Sequence, residues 1–224
     1  MRAVLAIIGV LFLAQDASAQ KTVSFPTEDG GTVYADIYGG GARAVVLAHG
    51  GQFNKESWEK QARALVAARI RVLALDFRGY GKSRGPGDSD PMDAPLHLDV
   101  LAAVRYLRKS GAKSVSIVGA SMGAGAAGDA AIASRPGEIE RLVFLGGAPN
   151  EPSDRLKCST LFIVARDDAS GDGPRLPRIQ RQYDKAPHPK SLIMLKGSAH
   201  AQYLLKTDQG DRVMREILLF LSAK

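Results

Sequence analysis

Residues 114–125, Ser-Val-Ser-Ile-Val-Gly-Ala-Ser-Met-Gly-Ala-Gly, constrain the fold more than any other stretch of this chain. Their first half is short, apolar and β-branched, which suits a strand buried on a pleated surface. Their second half is almost all Ala and Gly and continues so to residue 128, which suits a helix packed close to its neighbours. Gly119-Ala120-Ser121-Met122-Gly123 lies between them with the pattern G-x-S-x-G. A strand that turns at once into a helix holds the serine in a strained backbone conformation and pushes its hydroxyl outward. The flanking glycines are required because a side chain there would meet neighbouring backbone. Ser121 is therefore a candidate nucleophile, provided that a histidine, an acid and an oxyanion hole lie elsewhere in the chain.

The surrounding pattern is that of an α/β protein. Residues 22–25 and 32–38 alternate apolar and polar positions around Glu28-Asp29-Gly30-Gly31 and are expected to form an antiparallel hairpin. Residues 44–48, 70–75, 114–118, 141–145, 161–165 and 191–195 read as strands. Helices are expected over 55–68, 95–110, the stretch after Ser121 to about 134, 178–185 and 211–221. Continuously apolar strands alternating with helices indicate a mostly parallel sheet covered on both faces, with the hairpin at one edge. Reactive groups on such a sheet collect beyond the carboxyl ends of its strands.

At 224 residues, the chain suits one domain with a sizeable core. Residues 1–19 read as a signal peptide: Arg2, an apolar run over 3–14, and Ala17-Ser18-Ala19 before Gln20. Residues 20–224 are then a single exported domain, periplasmic or secreted, with no stable membrane insertion once the signal is removed. Cys158, the one cysteine, leaves no internal disulfide and reads as a structural thiol. Net charge is +7, with basic residues densest over 175–185. No aromatic platforms separate them and no nucleic-acid motif is present, so a solvated basic face is the first reading and attraction to an anionic surface or substrate the second.

A serine hydroxyl needs a base within hydrogen-bond reach, and the base needs an orienting acid. Of the four histidines, His200 is best placed, in the loop after the last strand. His97 and His188 read as structural or exposed, and His49 as fixing its own loop. The acid should follow the strand over 161–165. Asp168 is favoured there, Asp167 is the alternative and Asp172 a third. The chain order Ser121, Asp168, His200 matches that of the strand-turn-helix serine enzymes. For the oxyanion, one backbone N–H should come from Met122 at the helix N-terminus, where donors are unpaired. The other should come from His49-Gly50-Gly51, with Gly51 preferred and Gln52 its alternative.

These motifs together resemble the α/β-hydrolases, in particular their serine esterase, lipase and serine aminopeptidase-like members. The resemblance runs through His49-Gly50-Gly51 with Trp58, the segment Asp76-Phe77-Arg78-Gly79-Tyr80-Gly81-Lys82-Ser83, the serine elbow, Asp168 and His200. It implies the α/β-hydrolase fold, a structural role for residues 76–83, and cofactor-independent, metal-free hydrolysis of a small-molecule ester or other acyl substrate. Peptidase or amidase action is the runner-up, and a non-catalytic binding protein on the same scaffold is the alternative of another class. Two departures matter. Only about fifteen residues stand where family members often carry a lid, so the site should be open or shaped by the loop over 79–95. The nucleophile is serine, unlike the cysteine of dienelactone hydrolases. Residues 123–128 also match G-x-G-x-x-G, but the next strand ends in Gly146-Gly147 rather than an acid, so no dinucleotide is expected. Substrate identity and oligomeric state are not encoded in any motif.

Overall fold

The computed structural model describes residues 20–223, so the signal-peptide expectation lies outside the described residues. Strand β1 (Gln20–Pro26) pairs antiparallel with β2 (Thr32–Tyr38), from Gln20 opposite Tyr38 to Pro26 opposite Thr32. Gly30, with φ +87, makes the turn, and Thr27 N–H closes it on Gly31 O at 2.9 Å. The remaining strands of the main sheet are β3 (Arg43–Ala48), β4 (Arg71–Leu75), β5 (Ser114–Ala120), β6 (Arg141–Leu145), β7 (Ser159–Ala165) and β10 (Lys190–Leu195). They lie in the order β1-β2-β4-β3-β5-β6-β7-β10, with only the β1–β2 and β2–β4 pairs antiparallel.

Because the central strands are buried on both faces, alternate residues of one strand enter different cores. Ala44, Val46 and Ala48 of β3 pack on the face covered by α2 (Leu96–Lys109), α3 (Met122–Ala133) and α4 (Leu176–Lys185). Val45 and Leu47 pack on the opposite face, against Leu65 of α1 (Glu59–Ala67) and Val213 and Ile217 of α5 (Gly210–Ser222). The small residues of α3 bring it against the sheet backbone. A Cβ at Gly123 would lie 2.3 Å from Ala48 O, and one at Gly119 would lie 2.4 Å from Gly123 O. The G-x-G-x-x-G glycines therefore serve close packing.

Three local features depart from the sequence expectation. A two-stranded ribbon, β8 (Ala169–Ser170) with β9 (Gly173–Pro174), follows β7 where a plain loop was expected. Its residues carry no hydrophobic alternation, and Arg175 N–H closes it on Asp168 O at 2.9 Å. A 3-10 helix, Ala201–Lys206, stands between His200 and α5. The first helical segment opens as a 3-10 turn, Lys55–Trp58, whose Asn54 side chain caps Ser57 N–H at 3.1 Å. Between β6 and β7 the chain is only the connector over 146–158 with one short turn, Ser153–Arg155, so no cap covers the sheet edge.

Candidate active site

All the sequence-derived candidates sit beyond the carboxyl ends of the parallel strands, as sheet polarity requires. Ser121 follows β5 directly, with φ 50 and ψ −112, a conformation rare for a residue with a side chain. Its surroundings enforce it. Ser121 N–H donates to Leu145 O at 3.0 Å, while its carbonyl accepts Ala124 N–H at 2.9 Å and Gly125 N–H at 3.1 Å. The hydroxyl then faces the loop after β10, where His200 Nε2 lies 2.7 Å from Ser121 Oγ.

His200 Nδ1 lies 2.7 Å from Asp168 Oδ2. Asp168 is fully buried, whereas Asp167 and Asp172 are exposed; Asp167 contributes only its N–H, donated to Gly197 O at 3.0 Å. Of the three acids considered, Asp168 alone meets the imidazole. Its other oxygen, Oδ1, accepts no hydrogen bond and has Arg175 Nε at 3.4 Å. The histidine loop is held by strain of its own. Ala201 has φ 50, and a Cβ at Gly146 would lie 2.6 Å from Ala201 N, so only glycine lets the β6 end approach.

The loop after β3 is fixed by buried groups that engage Gly50 N–H and leave Gly51 N–H open. His49 is fully buried, with Nδ1 2.9 Å from Gly50 O and Nε2 accepting Phe77 N–H at 3.3 Å. Those neighbours define the neutral tautomer with the proton on Nδ1, and burial pushes the imidazole pKa down to about 4. Gln202 Oε1 accepts Gly50 N–H at 2.8 Å while its amide donates to Ser57 Oγ at 2.9 Å. Tyr80 hydroxyl donates to Gly51 O at 2.9 Å. Among the described residues, no acceptor takes Gly51 N–H, and Met122, first residue of α3, has no intrahelical partner for its own. A Cβ at Gly51 would lie 3.8 Å from Met122 Sδ, so the Met122 side chain packs beside Gly51. Gln52 N–H, the alternative donor, likewise has no acceptor among the described residues, while its side chain accepts Tyr203 hydroxyl at 3.2 Å. Gln202 acts here without any local motif to mark it, whereas Tyr80 belongs to the 76–83 segment, for which only a structural role was expected.

A cavity of about 220 Å³ opens beside Ser121 and Met122. Gly125, Ala126 and Ala148 make its floor small, and Met92, 69% exposed, contributes the loop over 79–95 to its rim. His97, read from the sequence as structural or exposed, lies on its wall, as do Arg175 and Arg178. Residues 76–83 are structural as expected: Ser83 Oγ donates to Asp76 O at 2.8 Å and accepts Tyr34 N–H at 2.8 Å. Cys158 is partly buried, and burial pushes its thiol up to about 12, which favours the thiol over the reactive thiolate at neutral pH.

A sharp strand-to-helix turn at a serine on a parallel sheet, with His and Asp arriving after later strands, is an architecture found in hydrolases. A family model described as alpha/beta hydrolase fold matches residues 43–216, and the chain belongs to that family. The chain is 31% identical over 121 residues to a non-heme haloperoxidase of Rhodococcus erythropolis, a match covering 54% of the chain and 42% of that protein. It is 35% identical over 95 residues to an epoxide hydrolase of Caballeronia sordidicola, covering 42% of the chain and 28% of that enzyme. The chain thus spans less than half the length of these curated relatives. An esterase from Pyrococcus furiosus has the same fold, with TM-score 0.71, 20% identity, and coverage of 91% of this chain and 90% of that one.

Proposed function

We propose that this hydrolase-family protein is a serine hydrolase that cleaves an ester or related acyl substrate through a covalent acyl-enzyme. The observation that carries the reading is the continuous hydrogen-bonded chain Ser121 Oγ–His200–Asp168, with both links at 2.7 Å. Ser121 Oγ attacks the carbonyl carbon as His200 Nε2 takes its proton, and the carbonyl π pair moves onto oxygen. Gly51 and Met122 N–H groups receive that oxyanion; losing one such donor typically costs about 2.7–4 kcal/mol. Buried Asp168 accepts from Nδ1–H and stabilises the imidazolium. Collapse of the tetrahedral intermediate expels the alcohol, which takes the proton from His200. Water then repeats the sequence on the acyl-enzyme and restores Ser121.

The test is labelling by a fluorophosphonate and turnover of short and long chromogenic esters, with Ser121→Ala beside the wild type. Labelling confined to Ser121 and turnover lost in the variant are expected; a wild type that neither labels nor turns over refutes the enzyme reading. Asp168→Asn should lower kcat by about 10⁴-fold, and Asp167→Asn should leave it near wild type; the reverse pattern would reassign the acid. Export by the segment 1–19 belongs to the same proposal, and the N-terminal residue of the mature protein, expected to be Gln20, checks it.

A further inference from the structure

We propose that the cavity beside Ser121 is built for an ester with a carboxylate on its acyl or alcohol half, and that Arg178, with Arg175 beside it, recognises that carboxylate. The proposal rests on the reading of Ser121 as nucleophile and adds the substrate class.

The charges on the cavity wall are unequal in what they have left to offer. Asp129 is its one acid, and both its oxygens are engaged. Oδ1 accepts Asn150 N–H and Glu151 N–H at 3.0 Å each, and Oδ2 accepts the Asn150 amide at 2.8 Å. Three donors thus hold that charge to the turn after β6. Arg175 leans on Asp168 from the far side of the triad acid, Nε to Oδ1 at 3.4 Å. Arg178 has no such partner. Its contacts are two neutral oxygens, Pro149 O at 3.3 Å and Asn150 Oδ1 at 3.5 Å, and among the described residues no carboxylate lies within ion-pair distance of it. Several arginines find acids, among them Arg63 with Glu59, Arg78 with Asp29 and Asp99, and Arg105 with Glu28, whereas others, Arg166 and Arg181 among them, do not. What sets Arg178 apart is that its unpaired guanidinium lines the cavity beside Ser121.

A second cavity, about 410 Å³, continues the same wall through Gly146, Arg175 and Arg178 and adds Arg181. Residues 175, 178 and 181 follow one another at helical spacing along the start of α4, while Ile179 turns into the core. The basic run that stands out in the sequence is therefore a stripe along the mouth of the reactive site. A guanidinium with open donors suits a carboxylate because its planar fork can bind both oxygens, and three aligned cations raise the local concentration of an anionic substrate.

Two ester pairs test this, each differing only in a carboxylate. The acyl pair is mono-4-nitrophenyl glutarate against its methyl ester; the alcohol pair is 4-acetoxybenzoate against methyl 4-acetoxybenzoate. The Ser121→Ala protein supplies the non-enzymatic rate. The expected result is a kcat/KM at least tenfold higher for the acid of one pair, reduced about tenfold as a ratio in Arg178→Gln and kept only in part in Arg178→Lys, which retains the charge but not the fork. Sodium chloride at 0.5 M should compress the wild-type ratio, as screening requires. Equal or inverted ratios in both pairs, or a preference unchanged in Arg178→Gln of native circular dichroism, overturn the proposal. Fluorophosphonate labelling of the same samples separates the two levels. A labelled enzyme without acid preference refutes the substrate class alone, whereas absence of labelling and turnover refutes the nucleophile and the substrate class with it.

Discussion

His49 makes the stability of this protein sensitive to mild acid, and the size of the effect follows from its surroundings. The ring is fully buried, packs edge-on to Phe77 and Tyr80, and must present a lone pair on Nε2 to accept Phe77 N–H. Protonation would replace that acceptor by a donor and bury a charge, which is why desolvation holds its pKa near 4, against 6.5 for a free histidine. For a base whose folded pKa is depressed, the unfolded chain gains a proton first as pH falls. Stability is therefore complete above about pH 7.5, declines through 6.5, and reaches its full loss near pH 4. Linkage over those two pKa values gives about 2 kcal/mol lost between pH 7.5 and pH 5, within a limit of about 3 kcal/mol. Two buried carboxylates act in the opposite direction. Burial raises the folded pKa of Asp76 and of Asp99, so both favour the folded state as pH falls.

The assay is denaturant unfolding at pH 7.5 and pH 5 for the wild type and His49→Asn. An asparagine amide can still donate to Gly50 O but cannot titrate. The variant should start lower, having lost the aromatic contacts, and should lack the 2 kcal/mol pH-dependent component. A variant with the same acid slope as the wild type would refute the assignment to His49. Because His49 anchors Gly50 and Gly51, the same acidification should also loosen the loop that supplies the proposed oxyanion donor.

Gly123→Ala should fail by geometry: the new methyl meets Ala48 O at 2.3 Å and His49 O at 2.6 Å, both backbone atoms. A cost of about 3 kcal/mol, the upper end for overpacking, should appear as a lower melting temperature together with reduced fluorophosphonate labelling. Arg78→Leu removes a fully buried guanidinium that binds Asp99 Oδ1 at 2.7 Å and Asp29 Oδ2 at 2.5 Å. Asp99 is then left buried without its countercharge, and a loss of about 3–5 kcal/mol is expected in equilibrium unfolding. The same variant frees Asp29, whose pKa Arg78 depresses to about 2, so stability lost by the wild type between pH 4 and pH 2 should be partly absent from the variant. Gln202→Leu leaves Gly50 N–H unpaired and should cost about 1–3 kcal/mol, with kcat for a neutral ester falling more than KM rises.

What could be read in advance was whatever burial or chain turning imposes on neighbouring residues. Strands β3 to β7 are apolar at consecutive positions because both faces are covered, and Gly119 and Gly123 flank Ser121 because backbone passes within clash distance of each. The sequence favours Asp168 over Asp167 by its place after the strand, but residue type alone does not separate two adjacent aspartates. The choice comes from the turn after β7, where Asp168 N–H folds back to Ala165 O at 3.3 Å and carries that side chain inward, while Asp167 faces solvent. Contacts between distant segments left no trace in local pattern. Gln202 reaches Gly50 across 152 positions, and Arg78 reaches Asp29 across 49. The basic run over 175–185 was visible as composition alone. Its meaning depends on which arginines lack acids, and that depends on Asp129 being consumed by a turn some twenty residues downstream. Arg178 is exposed, as composition would have it, yet its guanidinium stands on the wall of the cavity beside Ser121 without an acid to neutralise it, and both its charge and its donors are open to an anionic ester.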